Sequence, residues 1–346
     1  MRMEIVPENI FERLALASRL VPQPIISAYW GMAISRCLLV AVRLGVFDAL
    51  AEGPRTAAEV ATATGCDPMG METLLNALNG FGYLRRKTGR YRLTPVSKKW
   101  LTRSSYSSMQ DALLFMFDIW EGLGGMEDCL RTGQTGIFHD LSKPAEFWSR
   151  YLRALAIFAK YVGKEIAGKV KLASPPQRLL DVGGGHGLYS VAFCKKFPNL
   201  QAEVLDLPPA CGEGRELVEE AGYSKRVSFR EGEFNQADWG EGYDLVLLFN
   251  IIHTVPVPAA RQLIVKAFQA LRPGGKVVIL DSEHPGSQGD LSAAAGFNEL
   301  FFFLINGTRV YPERKIREWL EQAGFSRLQK KRLLRMPMTL FLAGQK

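Results

Sequence analysis

The second half of the chain alternates short apolar strands with helices, and this alternation restricts the fold more than any other feature. Predicted strands RLLDV, AEVLDL, VSFREG, YDLVLLFN and KVVILD are interspersed with helices predicted at 187–197, 211–222 and 257–271. Such alternation is typical of a parallel sheet covered by helices on both faces. Two late strands, RLQKKRLL and TLFLAGQ, follow a helix at 312–323 and predict an antiparallel edge. We therefore expect a doubly wound, Rossmann-like α/β domain with an antiparallel last strand.

The N-terminal part is predicted to be mainly helical. Helices are expected at 8–20 and 25–50, followed by a helix capped by Thr56 and another capped by Asp67. The segment GFGYLRRKTGRYRLT then indicates two short strands around a Thr-Gly turn. The order helix, turn, helix, β-ribbon is typical of a winged-helix domain.

The helix predicted at 25–50 is apolar on nearly every face. A helix that is apolar all round must be buried on all sides, and in a small domain this requires a partner surface. A second copy of the chain is the simplest partner, so we expect a homodimer. Arg36 and Arg43 interrupt the apolar stretch, and Pro22 and Pro24 precede it. We therefore predict no membrane span.

The length of 346 residues and the hydrophobic content of 47% allow two domains of ordinary size. We expect a winged-helix-like dimerisation domain at 1–105, a helical linker that roofs a substrate pocket at 106–170, and the Rossmann-like domain at 171–346. The five cysteines are scattered without C-x-x-C spacing, and no signal-peptide pattern follows the first helix. This composition indicates a cytoplasmic protein with reduced thiols.

The sequence LLDVGGGHG, at the end of the first predicted strand of the sheet, indicates a ligand site. Its glycines Gly183, Gly185 and Gly187 allow a tight turn and a close approach of the ligand to the backbone. A dinucleotide-binding G-x-G-x-x-G pattern would require Gly or Ala at position 188, which is Leu188. Asp181 would repel a pyrophosphate, but it suits a cationic amino acid such as the methionine part of S-adenosylmethionine (SAM).

The ends of the next predicted strands carry further candidate cofactor-binding residues. Asp206 closes the second strand and can accept hydrogen bonds from both ribose hydroxyls, with Leu207 beside it. Glu233 and Phe234, near the end of the third strand, can bind an adenine amino group and stack on its ring. Asn250, at the end of the fourth strand, completes the predicted cofactor site.

These motifs together resemble those of class I SAM-dependent methyltransferases, from about residue 178 to 344. With GVFDALAEGPRTAAEVA in front, nearly the whole chain resembles the dimeric O-methyltransferase family of plant phenylpropanoid, animal acetylserotonin, and bacterial polyketide and phenazine enzymes. The matching pieces are LLDVGGGHG, VLDLPP, YDLVLLFNIIHTV and ALRPGGKVVILD. The resemblance implies SAM as cofactor, S-adenosylhomocysteine (SAH) as product, a homodimer and a place in secondary metabolism, but it says little about the acceptor. We expect a small, largely apolar, aromatic acceptor.

His253 in NIIHTV occupies the position of the catalytic histidine of that family. An imidazole can accept a hydroxyl proton near neutral pH, and Asp281, which ends KVVILD, is expected to orient it. The family often has Asp-Trp after this histidine, where Thr254 and Val255 stand here, and Val310 replaces a second family acid. These departures leave open methylation of nitrogen, sulfur or carbon, or a relative that uses SAM without transferring methyl.

Aromatic and Met-rich stretches flank the predicted core and indicate an acceptor pocket. We expect Met109, Met116, Phe297 and Asn298 to line it. His186, in the glycine-rich loop, is expected to face solvent or ligand. The sequence has no metal-binding spacing of His, Cys, Asp or Glu, so a metal-independent reaction is expected.

The basic run from Arg85 to Arg103, in a chain of net charge +8, supports an alternative of another class, a winged-helix DNA-binding regulator. The predicted recognition helix, DPMGMETLLNALNGF, contains no Arg or Lys to contact base edges. We therefore expect an enzyme with a small-molecule acceptor and without a nucleic-acid partner.

Overall fold

The structure is a computed structural model, and its chain divides into two compact units, residues 1–117 and 118–346. It describes residues 7, 9–18, 21–136, 138–284 and 291–346. Each unit is described by itself.

The first unit consists of helices and one β-hairpin. Its helices are Ile10–Ala17 (α1), Gln23–Arg43 (α2), Val46–Ala49 (α3), Ala57–Thr64 (α4), Pro68–Gly80 (α5) and Pro95–Trp100 (α6), and its antiparallel strands are Leu84–Lys87 (β1) and Arg90–Leu93 (β2). The side chains of Thr56 and Asp67 cap α4 and α5, as predicted. The prediction of one helix over 25–50 is wrong, because Gly45 adopts a φ of 75° and separates α2 from α3.

The first half of the helix α2 exposes several large apolar side chains. Ile25 is 71% exposed, Tyr29 65% and Met32 58%, whereas Leu39 near the end of the helix is buried. By length and composition alone, α2 is long and apolar enough to cross a membrane. Core helices of soluble proteins can meet the same two criteria. Within the residues that the structure describes, α2 thus exposes apolar side chains of the helix from which the sequence predicted a partner surface.

The second unit holds the sheet. The helix Gln110–Gly124 (α7) crosses the boundary between the units. The later helices are Met126–Thr132 (α8), Ala145–Lys169 (α9), Leu188–Lys196 (α10), Pro208–Glu220 (α11), Val257–Ala270 (α12), Ala293–Asn306 (α13) and Glu313–Gln322 (α14). The strands are Arg178–Val182 (β3), Gln201–Asp206 (β4), Val227–Glu231 (β5), Tyr243–Phe249 (β6), Leu271–Ser282 (β7), Ser326–Lys330 (β8) and Thr339–Gln345 (β9).

The seven strands follow the order β5-β4-β3-β6-β7-β9-β8. Strands β3 to β7 are parallel, and β9 lies antiparallel between β7 and β8, which confirms the predicted fold class. The strand order reverses at β3, between β4 and β6, and ligands of such sheets bind beyond the carboxyl ends of the strands at this point. Strand β6 is buried along its whole length and forms the centre of the core.

Strand β8 ends earlier than the sequence predicted, at Lys330 instead of near residue 334. The chain leaves the sheet there because the next segment turns to α9, where the backbone N–H of Leu334 donates to Glu165 Oε1 at 2.7 Å.

Candidate active site

Three glycines in the left-handed region shape the loop after β3. The φ angles are 64° at Gly183, 45° at Gly185 and 67° at Gly187. A Cβ atom at Gly183 would lie 2.6 Å from Cδ1 of Ile251, so packing as well as backbone conformation requires glycine there. The backbone N–H of Gly185 donates to Oδ2 of Asp206 at 2.7 Å. This bond joins the loop to the end of β4.

Asp181, at the end of β3, is a buried carboxyl group with one oxygen left over. It is 0% exposed, and its Oδ2 accepts a 2.8 Å hydrogen bond from the Ser190 hydroxyl. Among the described residues, nothing donates to its Oδ1. Burial raises the pKa of Asp181 to about 7, and the charge of Asp206 acts in the same direction. A buried carboxylate with a free oxygen fits a cationic ligand group.

Asp206 ends β4 and is already held by two backbone N–H groups. Gly185 donates to its Oδ2, and Leu207, which precedes α11, donates to its Oδ1 at 2.7 Å. Desolvation raises the pKa of Asp206 to about 6 in spite of these bonds. Each carboxylate oxygen can accept a second hydrogen bond, so the group can still bind two ribose hydroxyls.

A lysine that the sequence did not suggest holds the turn after β5. Glu233 and Phe234 lie partly buried in this turn, and Glu233 accepts a 3.0 Å bond from the Asn235 amide. The Lys266 ammonium, from α12, donates to the carbonyl oxygens of Phe234 at 2.8 Å, Asn235 at 3.0 Å and Ala237 at 2.8 Å. Lys266 therefore fixes the backbone beside the predicted adenine-binding residues.

Asn250 follows β6 in a conformation that few residues other than glycine adopt. Its φ is 54°, its side chain is exposed, and its backbone N–H donates to Leu280 O at 2.7 Å. The strained residue lies at the carboxyl end of the central strand, where ligands of this sheet type bind.

His253, shortly after β6, and Asp281, near the carboxyl end of β7, form a buried pair. The imidazole Nδ1 lies 2.6 Å from Asp281 Oδ1, and the side chains of the histidine and aspartate are 8% and 3% exposed. The backbone N–H of His253 also contacts Asp281 Oδ2, at 3.3 Å. Phe302 of α13 stacks on the imidazole, with ring centroids 3.8 Å apart and an interplanar angle of 18°. The ring is thus fixed both at its edge and on its face.

The segment 308–310, in which valine stands at the position of the second family acid, contacts the backbone of His253 and not its ring. Val310 is buried, at 4% exposure, and offers no polar group. Thr308, two residues earlier, donates its hydroxyl to the carbonyl oxygen of His253 at 2.6 Å. This segment therefore holds the backbone of the histidine, while Asp281 holds its ring.

Of the two positions expected for His186, facing solvent or facing ligand, the structure excludes the solvent-facing one. His186 is buried, and its Nδ1 accepts a 3.0 Å bond from the backbone N–H of Leu188, so it supports the loop and does not face solvent. Burial lowers its pKa to about 3. Another histidine, His139, contacts the Tyr151 hydroxyl through Nε2 at 3.1 Å. Burial and then the nearby His253 lower the pKa of His139 to about 4.

The four predicted pocket residues fall in both units. Met109 and Met116 belong to the first unit. On α13 of the second, Phe297 is 48% exposed and the Asn298 amide donates to the Ser282 hydroxyl at 3.2 Å.

A cavity of about 380 Å³ lies within the second unit. Residues around it include Ile119, Leu123, Phe138, Lys143, Phe147 and Phe301. None of Met109, Met116, Phe297 and Asn298 lines this cavity. Within the described ranges, the structure brings no three His, Cys, Asp or Glu side chains together as a metal site.

Comparison with known protein families decides the class of the site. The family profile described as "O-methyltransferase domain" matches residues 119–326, and the profile described as "O-methyltransferase dimerisation domain" matches residues 27–103. The chain belongs to the O-methyltransferase family. It is an enzyme that transfers the methyl group of SAM to a small-molecule acceptor, so the predicted cofactor, enzyme class and resemblance are confirmed. The DNA-binding alternative is not favoured.

Individual relatives transfer methyl groups to different acceptors. A 3-hydroxy-5-methyl-1-naphthoate 3-O-methyltransferase of Streptomyces sahachiroi is 28% identical and aligns with 86% of this chain and 87% of its own length. An L-tyrosine C(3)-methyltransferase of Streptomyces lavendulae is 23% identical and aligns with 86% of this chain and 85% of its own length. The crystal structure of human N-acetylserotonin methyltransferase with SAM, 22% identical, superposes with a TM-score of 0.82 over 99% of both chains. That structure shares the fold.

Several residues of this O-methyltransferase site carried no sequence signal. Ser190 and Lys266 lie on helices and reach the site only through the packing of α10 and α12 against the sheet. Phe302 is one of three consecutive phenylalanines, and only the turn of α13 distinguishes the ring that covers His253.

Proposed function

We propose that this enzyme methylates a hydroxyl group of a small aromatic molecule, with His253 as the general base. The observation that carries the proposal is the buried 2.6 Å contact between His253 Nδ1 and Asp281 Oδ1. It supports a tautomer in which Nδ1–H donates to the carboxylate, and the other ring nitrogen, Nε2, then holds the lone pair that can take a proton.

Asp281 has two roles in this proposal. It fixes the orientation of the imidazole, and its charge stabilises the imidazolium that forms when Nε2 accepts the acceptor proton. Stacking on Phe302 restricts rotation of the ring, and the Thr308 bond restricts the backbone. Together these contacts replace the support that the absent acid at Val310 would give.

The cofactor-binding roles of the chain follow the strand ends. We assign the cationic methionine part of SAM to Asp181, its ribose to Asp206, with Leu207 adjacent, and its adenine to Glu233 and Phe234. The free Oδ1 of Asp181 supports the first assignment. When bound, SAM supplies an electrophilic methyl group. The protein then contributes positioning, which in oriented pairs corresponds to effective molarities up to about 10⁵–10⁸ M.

The same proposal gives the glycine-rich loop and the end of β6 a binding role. Gly183, Gly185 and Gly187 allow the ligand to approach the loop backbone, and Asn250 stands exposed beside it. No step of the proposed reaction uses a metal.

We also propose that the chain acts as a homodimer. The dimerisation profile matches 27–103, and the exposed apolar side chains of α2 lie at its start. A second copy would cover them. The helix-helix-hairpin order of α4, α5, β1 and β2 supports a winged-helix arrangement that serves dimerisation and not nucleic-acid binding.

The functional division that we propose is dimerisation by 1–105, a pocket roof from 106–170, and SAM binding by 171–346. In this division Met109 and Met116 come from the roof, and Phe297 and Asn298 from α13. The five free cysteines support a reducing, cytoplasmic location. The resemblance to polyketide and phenazine enzymes supports a role in secondary metabolism.

A methyl-transfer screen tests the proposal. The purified enzyme is incubated with SAM and hydroxyarenes, their methyl ethers, and matched amines and thiols, and SAH formation is measured with mass analysis of each product. We expect methyl transfer to hydroxyl oxygen. Products methylated only at nitrogen, sulfur or carbon would contradict the assignment of the acceptor atom.

A further inference from the structure

We propose that the acceptor carries an anionic group, such as a carboxylate, and that Lys143 binds this group in the cavity of the second unit. The inference rests on the proposed function, because it assigns the cavity to the acceptor. The cavity wall supports it, because it combines aromatic rings with a lysine that makes no ion pair among the described residues.

The cavity fits a molecule of one or two aromatic rings. Its volume of about 380 Å³ lies at the lower end of the range for small-molecule sites. Phe138, Phe147 and Phe301 contribute rings to the wall, and Ile119 and Leu304 contribute aliphatic side chains. Such a wall binds a planar apolar body and leaves orientation to the few charged groups present.

Three charged side chains line the cavity: Asp118 is already paired, Asp128 is exposed to solvent, and Lys143 is the third. Asp118 accepts two hydrogen bonds from the Arg150 guanidinium, at 2.7 Å and 2.9 Å. Asp128 is exposed to solvent on α8. Lys143 is partly buried, and in the part of the chain that the structure describes no carboxylate lies within ion-pair distance of it.

Aromatic rings hold the Lys143 ammonium at the cavity wall. Its Nζ lies 4.1 Å from the ring centroid of Phe147 and 5.0 Å from that of Phe138. Aromatic rings stabilise the cation, but they are not conventional hydrogen-bond acceptors. The three N–H donors of the ammonium therefore still need acceptors. Burial lowers the pKa of Lys143, against the opposing charges of Asp140 and Asp118. A bound anion would offset that cost of burial.

His253 does not line the cavity, but two cavity residues are next in sequence to residues that lie near this proposed base. Phe301 lines the cavity, and the next residue, Phe302, stacks on the His253 imidazole. Phe138 also lines the cavity, and the next residue, His139, is close enough for His253 to lower its pKa. An aromatic acid held at Lys143 would therefore lie against residues whose chain neighbours stand close to His253.

Binding of paired ligands tests the inference separately from catalysis. A hydroxybenzoate and a hydroxynaphthoate, each with its neutral carboxamide, are titrated by calorimetry into the full-length enzyme saturated with SAH. The proteins are the wild type, Lys143→Met, Lys143→Gln, Lys143→Arg and the surface control Lys225→Met. We expect the wild type to bind at least one acid about tenfold or more tightly than its amide, as a charge-assisted hydrogen bond allows.

The Met and Gln variants should lose this preference while binding the amide as before, and the Arg and Lys225 variants should keep it. Amide binding shows that each variant is folded. The inference is overturned if the neutral variants keep the preference, if the wild type binds acid and amide equally, or if it binds neither. Methyl transfer, measured in parallel, reports on the proposed function alone. Its absence with the binding preference intact would contradict the proposed acceptor oxygen and leave the anion site standing.

Discussion

The imidazole Nδ1 of His253 lies 2.6 Å from Oδ1 of Asp281, although 28 residues separate the two positions in the chain. The parallel pairing of β6 with β7 brings them together, because Asp281 lies near the carboxyl end of β7 and His253 follows the carboxyl end of β6. A neutral partner on Nδ1 could orient the ring equally well. The carboxylate adds a charge that matters only when the ring becomes protonated, which is the state a general base reaches during proton transfer.

This relationship predicts different losses at the two positions. His253→Ala should lower kcat by roughly 10²–10⁴ and leave SAM affinity nearly unchanged, because it removes the base and not a cofactor contact. Asp281→Asn should cost less, since an amide oxygen can still accept the Nδ1–H bond. Steady-state kinetics with a hydroxyarene that the wild type methylates gives kcat. Calorimetry with SAH gives the cofactor affinity. Retention of most activity in His253→Ala would show that the acceptor needs no base.

The proposed role of Asp206 predicts how tightly the enzyme binds SAM and which cofactor it binds. Asp206→Ala should lower SAM affinity at least tenfold, because it removes one or two charge-assisted hydrogen bonds worth about 1.5–3 kcal/mol each. Glu231→Ala is the matched control, since this nearby acid at the end of β5 pairs at the surface with Arg215. Calorimetry should detect SAM and SAH but not NADH. NADH binding without SAM binding would refute the cofactor assignment.

Lys266 predicts an effect confined to cofactor affinity. Lys266→Met should release the three carbonyl oxygens of the turn after β5 and raise the KM for SAM about tenfold, with kcat at saturating SAM nearly unchanged. Lys164→Met, at an exposed position on α9, is the control. A fall in kcat without a change in KM would mean that the turn does not act through the cofactor.

The exposed face of α2 predicts a dimer that point charges can split. Tyr29→Glu combined with Met32→Glu should give monomers, because each buried apolar side chain contributes about 1.5–3 kcal/mol and a buried unpaired charge opposes association. Met69→Glu, at a position 75% exposed elsewhere in the same unit, should leave the dimer intact. Sedimentation velocity gives the masses. If the double variant sediments like the wild type, another surface joins the subunits.

The sequence predicted the sheet because strand periodicity, glycines and strand-end acids are local signals. The parallel pairing of β3 to β7 follows from the alternation of strands with helices, and the antiparallel pairing of β8 with β9 follows from the short segment between them. The order of the strands in the sheet was not predicted. The break at Gly45 escaped prediction, because the apolar pattern continues through it. The sequence left open whether His186 faces solvent, and its burial could not be foreseen because the bond to Leu188 depends on the exact turn of the loop. Contacts such as Lys266 with its three carbonyl groups come from packing between distant elements, which one sequence does not encode locally.

The raised pKa values of Asp181 and Asp206, about 7 and about 6, predict that SAM affinity falls as the solution becomes acidic. Both groups have pKa values above those of an unfolded chain, so between about pH 4 and 7 the ligand-free folded state holds more protons than the unfolded state. Its stability should therefore fall as pH rises through this window. A cationic ligand favours the ionised carboxylates, so binding should release protons and tighten from pH 5.5 to about 7.

Calorimetry at pH 6, in buffers of different ionisation enthalpy, counts the protons released when SAM binds. We expect a positive count that declines towards pH 7.5, below the range where an α-amino group itself titrates, at about 7.7–8.0. Asp181→Asn should reduce the count, because it removes the group with the higher pKa, and should weaken binding at pH 7.5. The Lys225→Met protein should behave as the wild type. An affinity that stays constant between pH 5.5 and 7.5 would mean that neither carboxylate changes its charge on binding, and the assignment of the cationic part of SAM to Asp181 would then fail.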